Sequence, residues 1–186
     1  MKWMAFILLL SACASRKERE FIPFERRQKE VTFDWNRDGK ADRAALMEGT
    51  EDFLELGIWL SAVGGHKKVV ANSSFIEAKS VPGARLEIDE QGIIKVIEDH
   101  SGVGAAETIH EWSVGYLDEK FKLVGYGYEF HDQLDNSKRG QCELDLVEGT
   151  GRVNGYFVQF DTAVKDINEI TVNFQPKQCK FRFNRF

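Results

Sequence analysis

The sequence predicts an all-β chain, a single antiparallel β-sandwich or barrel-like domain, and three observations carry that expectation. Apolar residues recur at every second position through most of the 186 residues, the period of a strand with one buried face. Pairs of glycine, asparagine and aspartate break these runs at hairpin spacing. Helical periodicity is confined to a short turn within 161–169. Hydrophobic residues make up 42% and charged residues 30%, which suits a chain with one core and excludes a disordered one. Acidic residues outnumber basic ones 30 to 25, so an extended nucleic-acid surface is excluded too.

The elements follow in order from Val31-Thr32-Phe33, which reads as a first strand. Leu54, Leu56, Ile58 and Leu60 alternate with Glu55, Gly57 and an outward, exposed Trp59. Leu86 and Ile88 flank Glu87, and His110, Trp112, Val114 and Tyr116 share one face. Val124, Tyr126, Tyr128 and Phe130 form another stripe. Cys142, Leu144 and Leu146 alternate with Glu143 and Asp145, while Ile170, Val172 and Phe174 suggest a later strand. Cys179, Phe181 and Phe183 read as the last strand, ending at Phe186. Turns are expected at Gly64-Gly65, Pro82-Gly83, Gln91-Gly92, Asp118-Glu119, Asn136-Ser137, Gly149 to Gly151 and Asn154-Gly155.

Ahead of these strands, Lys2 and the apolar run 4–10 lead into Leu10-Ser11-Ala12-Cys13. The run is too short to span a membrane as a helix. It resembles the bacterial lipobox, in which small residues precede a cysteine that receives the lipid. The resemblance implies that Cys13 becomes the acylated first residue of the mature protein. Acyl chains contribute about 0.8 kcal/mol per buried methylene, so a multiply acylated cysteine anchors stably. Ala14 follows instead of an aspartate, which under the same resemblance implies an outer-membrane lipoprotein facing the periplasm. The expected organisation is a signal peptide over 1–12, a charged tether over 13–30 and one all-β domain over 31–186. Only Lys2 is lost with the signal peptide, which moves the formal net charge from −5 to −6.

Three cysteines occur, and the lipobox uses one. Alternation places Cys142 and Cys179 on the inner faces of their own strands, where neighbouring sulfurs pair in an oxidising compartment. Two separate buried thiols are the alternative. No histidine lies at zinc-ligand spacing from either.

Asp34, Asn36, Asp38 and Asp42 supply oxygens at loop positions one, three, five and nine, with Gly39 at six and the Lys40 carbonyl at seven. That is the ligand order of a calcium loop. Position twelve is Ala45 and the preceding segment is a strand, so the motif is not an EF-hand. It resembles the aspartate-rich loops of FG-GAP and VCBS-type β-repeats, which implies a Ca2+ site built from Asp34, Asn36, Asp38, Lys40 and Asp42. A tight turn capped by its own side chains is the alternative.

Catalytic constellations do not assemble. His66, His100, His110 and His131 are scattered, with His66 and His131 in expected loops, and no serine sits in a nucleophile elbow. Glu87/Asp89 and Glu143/Asp145 read as outward carboxylates on strand faces. Ser101-Gly102 resembles the loop that periplasmic lysozyme inhibitors insert into their target, without the tyrosine that follows there. The chain is therefore expected to be a lipid-anchored protein-binding module and not an enzyme. Its partner is expected to be a basic protein, as for an inhibitor or immunity protein against a cell-wall-active enzyme or toxin. An envelope-assembly or structural accessory lipoprotein is the alternative.

Replacing Cys13 by serine is expected to abolish labelling by a fatty-acid analogue and to move the protein out of the membrane fraction. Retained labelling of that variant would refute the anchor.

Overall fold

Alternating burial builds twelve strands among the residues that the computed structural model describes, which are 27–49, 53–77, 84–100, 106–162, 164–171 and 173–181. The smaller sheet contains β1 (Arg27–Phe33), β2 (Asp42–Glu48), β3 (Phe53–Ala62) and β4 (Gly65–Glu77) in sequential antiparallel order. The larger contains β5 (Arg85–Ile88), β6 (Ile94–Asp99), β7 (Ala106–Leu117), β8 (Lys120–Asp132), β9 (Arg139–Asp145), β10 (Thr150–Val153) and β11 (Tyr156–Gln159), again sequential. A short β12 (Lys165–Asp166) returns to pair with β8. The all-β expectation holds, as two antiparallel sheets packed face to face. β1 begins at Arg27, four residues ahead of the expected domain start.

Leu46, Leu56 and Ile58 of the small sheet and Ile94, Trp112, Val114 and Leu123 of the large one are fully buried in one core. Burying each such side chain stabilises the fold by about 1.5–3 kcal/mol. The two-residue turns obey local chemistry. Asp118 and Glu119 (φ 50° and 61°) join β7 to β8, and Asn154 with Gly155 (φ 50° and 82°) joins β10 to β11. Positive φ at both positions matches the twist of the flanking strands.

β8 is not the single stripe expected from Val124, Tyr126, Tyr128 and Phe130. Ser113 pairs with Gly125 but Val114 pairs with Leu123, so Val124 is an extra residue in the ladder. Such a bulge reverses the alternation on either side of it. Leu123 and Tyr126 both point into the core. Val124 instead lies outside, where a methyl added at Gly115 would fall 3.1 Å from its Cγ1. The bulge marks a change of partner: β12 pairs at Lys122 and Leu123, and β9 pairs from Gly125 onward. The freed Val124 carbonyl accepts from Leu146 N at 2.9 Å.

The sheets approach each other at both sides. β1 lies against β5, and a 3-10 turn, Ile167–Glu169, lies between β4 and β8. Buried Asn72 on β4 donates through Nδ2 to the carbonyls of Ile167 and Ile170, both at 2.7 Å. The expected C-terminal strands differ. Ile170 and Phe174 are extended or turning backbone, and Cys179 closes a second 3-10 turn, Lys177–Cys179. Pro176 caps that turn; without an N–H it cannot donate to a ladder. Cys142 is on β9 as expected and forms a disulfide with Cys179, with Cα atoms 5.4 Å apart. Val172 and the expected strand end at 182–186 lie outside the described residues.

The disulfide spans 37 residues, for which the chain-entropy relation gives about 4 kcal/mol. Replacing both cysteines by alanine is expected to lower the urea-unfolding free energy by about that amount. An unchanged midpoint would show that the bridge does not form.

Candidate functional site

The loop 34–42 closes one end of the sandwich, and its geometry follows from two buried groups. Trp35 turns inward, donates through Nε1 to the Gly92 carbonyl at 2.7 Å and meets Phe121 edge-on at 5.5 Å. Asp42 is buried at the start of β2. Its Oδ2 accepts from Trp35 N at 2.8 Å and Asn36 N at 3.4 Å, and its Oδ1 accepts from Ser61 N at 2.7 Å. The exposed part folds on itself. Asp34 accepts from Asp38 N at 3.0 Å and Gly39 N at 2.9 Å, Asn36 Oδ1 accepts from Asp38 N at 3.0 Å, and Asp38 Oδ1 accepts from Lys40 N at 2.9 Å. Ser61 Oγ donates to Asp38 Oδ2 at 2.5 Å, a bond that holds the Asp38 carboxyl below its ordinary range. Arg37 and Gly39 take positive φ of 58° and 81° to make the turn.

The five expected calcium ligands thus divide. Asp34, Asn36, Asp38 and the Lys40 carbonyl belong to the exposed loop, whose side-chain oxygens already accept backbone N–H groups. Asp42 faces inward with both oxygens engaged. Among the described residues, no group of three or more His, Cys, Asp or Glu is arranged to hold a metal ion. The oxygens of Asp34, Asn36, Asp38 and Asp42 have the hard-oxygen chemistry calcium takes, and Asp42 differs in being buried, where its oxygens accept from Trp35 N and Ser61 N.

Further along β7 and β8, His110 stacks on Trp112 at 5.4 Å and approaches Tyr128 at 4.6 Å. Its Nδ1 lies within hydrogen-bond reach of the Tyr126 hydroxyl, at 3.1 Å. Burial, followed by the charge of His100, pushes the His110 pKa down to about 4. Burial likewise raises Tyr126 and Tyr128 above the ordinary phenol range. Glu98, directly across from His110 on β6 and only 4% exposed, is paired with His100 Nε2 at 3.1 Å. His110 is a wall residue, as its place in a strand suggests. His66 and His131 are in strands β4 and β8, not in loops.

The outward face of the large sheet carries the charged residues. Glu111, Gly127, Glu143, Arg152 and Phe157 lie side by side across β7 to β11. Ser113, Gly125, Asp145 and Thr150 form the next row. The glycines leave a depression of about 350 Å³ over Gly127. It adjoins one of about 650 Å³ walled by Ile93, Leu117, Val124, Val147 and Phe157. A third, of about 730 Å³, lies toward Glu107, His131 and Arg139. Lys95 pairs with Glu111 at 3.0 Å, which holds its ammonium above the usual range. Glu143 and Asp145 are exposed as expected, but Asp145 caps its turn, accepting from Val147 N and Glu148 N at 2.9 Å. Asp89 likewise caps the turn to β6, accepting from Gln91 N and Ile93 N.

Trp59 departs from expectation. It points away from the core but is only 5% exposed, packed with Ala45 and Met47. Its ring lies over Gly57, where no Cβ fits, and Lys68 Nζ sits 5.2 Å from its centroid. Among the described residues the exposed aromatics are instead Tyr156 (77%) and Phe157 (68%) on β11. The Asn154-Gly155 turn marks their hairpin in the sequence, but nothing local shows that β11 ends the sheet. Cys13 and the Ser101-Gly102 segment lie outside the described residues. No known family, curated protein or solved structure matches this chain.

Three outcomes test this geometry. Asp42→Ala is expected to lower stability by about 3 kcal/mol with or without calcium, because buried N–H groups lose their acceptor. By contrast, Asp34→Ala with Asp38→Ala is expected to remove any calcium-dependent rise in Tm; a rise that survives in that double variant would exclude the loop. For His110, the unfolded ring titrates near 6.5 and the folded ring near 4. The unfolded chain binds the extra proton between those values, so stability is complete above 6.5 and is lost as pH falls toward 4. Urea titrations should show a loss of about 3 kcal/mol across that window. His110→Phe should flatten it, and an equal slope in the variant would exclude His110 as its source.

Proposed function

We propose that the chain is a lipid-anchored, periplasm-facing module that binds another protein, acting as an inhibitor or immunity protein against a cell-wall-active enzyme or toxin. The observation that carries the binding role is the exposed pair Tyr156 and Phe157 on the terminal strand β11. Large aromatics left exposed cost solubility, and they are the side chains that supply most energy at protein interfaces. Acidic residues on the sheet face that carries Phe157 favour encounter with a basic partner. The anchor rests on the lipobox resemblance at Cys13, and calcium at Asp34, Asn36, Asp38, Lys40 and Asp42 is a structural adjunct in this reading.

Photo-crosslinking from position 157 in intact cells tests the proposal. The expected product is a covalent adduct with a wall-active protein, together with cell protection that is lost in Phe157→Ser. Crosslinking to an envelope-assembly component without protection would reassign the chain to the accessory role. Recovery of a polysaccharide in place of a protein would overturn both.

A further inference from the structure

We propose that the outward face of the large sheet is a docking groove for one extended segment of the partner, in which lysine or arginine alternates with apolar residues. This rests on the protein-binding reading above and specifies its site and its chemistry.

The groove runs along β8, where Gly127 and Gly125 succeed each other on the outward face. Neither has a side chain to fill the space between β7 and β9. Strands two apart in a sheet are separated by about 10 Å, which is room for one extended chain lying between the side chains of Glu111 and Glu143. The adjoining depressions over Gly127 and beside Phe157 share Ser113, Glu143 and Leu144, so they form one channel.

Charge selects the occupant. Glu111, Glu129, Glu143, Asp145 and Glu148 line this channel against Lys95 and Arg152. Lys95 is already held by Glu111 at 3.0 Å. The stretch of the channel beside Gly125 is lined in addition by apolar Ile93, Leu117, Val124, Val147 and Phe157. A segment lying along β8 therefore meets carboxylates on both sides over Gly127 and apolar side chains beside Gly125. An extended segment that alternates cationic with apolar residues brings both kinds to each stretch of the channel. An anionic segment would meet repulsion, and a second copy of this acidic chain would bring like charge to like.

The test uses the full-length lipidated protein in neutral detergent and a fluorescein-labelled peptide alternating lysine with valine. A glutamate–valine peptide is the comparison. Anisotropy should show binding of the lysine peptide alone, weakening with added salt. Carbodiimide coupling followed by mass mapping should join its lysines to Glu111 and Glu143. Glu143→Lys should weaken binding about tenfold, whereas Glu48→Lys, the same charge change at an exposed position of the small sheet, should leave it within about twofold. A methyl at Gly127 would fall 3.2 Å from Glu111 Cβ, so glycine replacements disturb the sheet itself and are not used.

Coupling confined to carboxylates outside the channel, or equal loss in Glu143→Lys and Glu48→Lys, would overturn the groove. So would preference for the glutamate peptide, or coupling between two copies of the chain. The in-cell crosslink from position 157 stands apart from these outcomes: an adduct there with no peptide coupling at any carboxylate of the channel leaves the binding role and removes this site.

Discussion

Strand β8 has to serve two different partners along one edge, and most of the architecture follows from how it does so. At Lys122 and Leu123 it pairs with β12, and from Gly125 to His131 it pairs with β9. Strict alternation through both segments would turn one apolar set to solvent. The extra residue Val124 absorbs the conflict, and Leu146 N satisfies its carbonyl. The core therefore stays continuous from Leu123 to Tyr126 while β9, β10 and β11 extend past the region closed by β12. That extension is held down at its base by Cys142–Cys179 and by Phe181, which lies over Gly140 and stacks on Tyr128. Its far edge is β11, which among the described strands pairs with β10 alone.

Buried polar groups close the sandwich, each matched to backbone. Asp42 collects the amides of Trp35, Asn36 and Ser61 at one end. Asn72 holds the carbonyls of Ile167 and Ile170 where β4 meets the returning chain. An unmatched buried group costs far more than a matched one contributes, so these residues specify where the loops sit as well as stabilising them. The spacing that resembles a calcium loop is thus partly architecture: its ninth residue is a bracket that carries Trp35 into the core.

The inner and outer faces of the large sheet are chemically separate. Inside, burial keeps His110 uncharged near neutral pH and holds Tyr126 protonated. Outside, carboxylates, glycines and Phe157 share one surface. Such a partition supports recognition from the outer face, with the inner aromatic wall giving it rigidity.

Local physics made the strands and tight turns legible in the sequence. Side chains alternate in any strand, and Asn154-Gly155 favours a two-residue turn whatever surrounds it. The pairing of Cys142 with Cys179 was readable too, although Cys179 sits on a 3-10 turn because Pro176 cannot join a ladder. Other features depend on residues distant in sequence. Val124 is displaced because two strands compete for β8, and Trp59 is covered because Gly57 and Met47 lie beside it. Asp42 turns inward because Ser61, nineteen residues away, brings its amide to it. The candidate groove was half visible: Glu143 and Asp145 read as outward carboxylates, while the row joining Glu111, Gly127, Glu143 and Phe157 exists only once four ladders are in register. Periodicity is a property of the chain, so the sequence by itself determined which residues alternate; which neighbour each face meets is a property of pairing, and only the tertiary structure decided it.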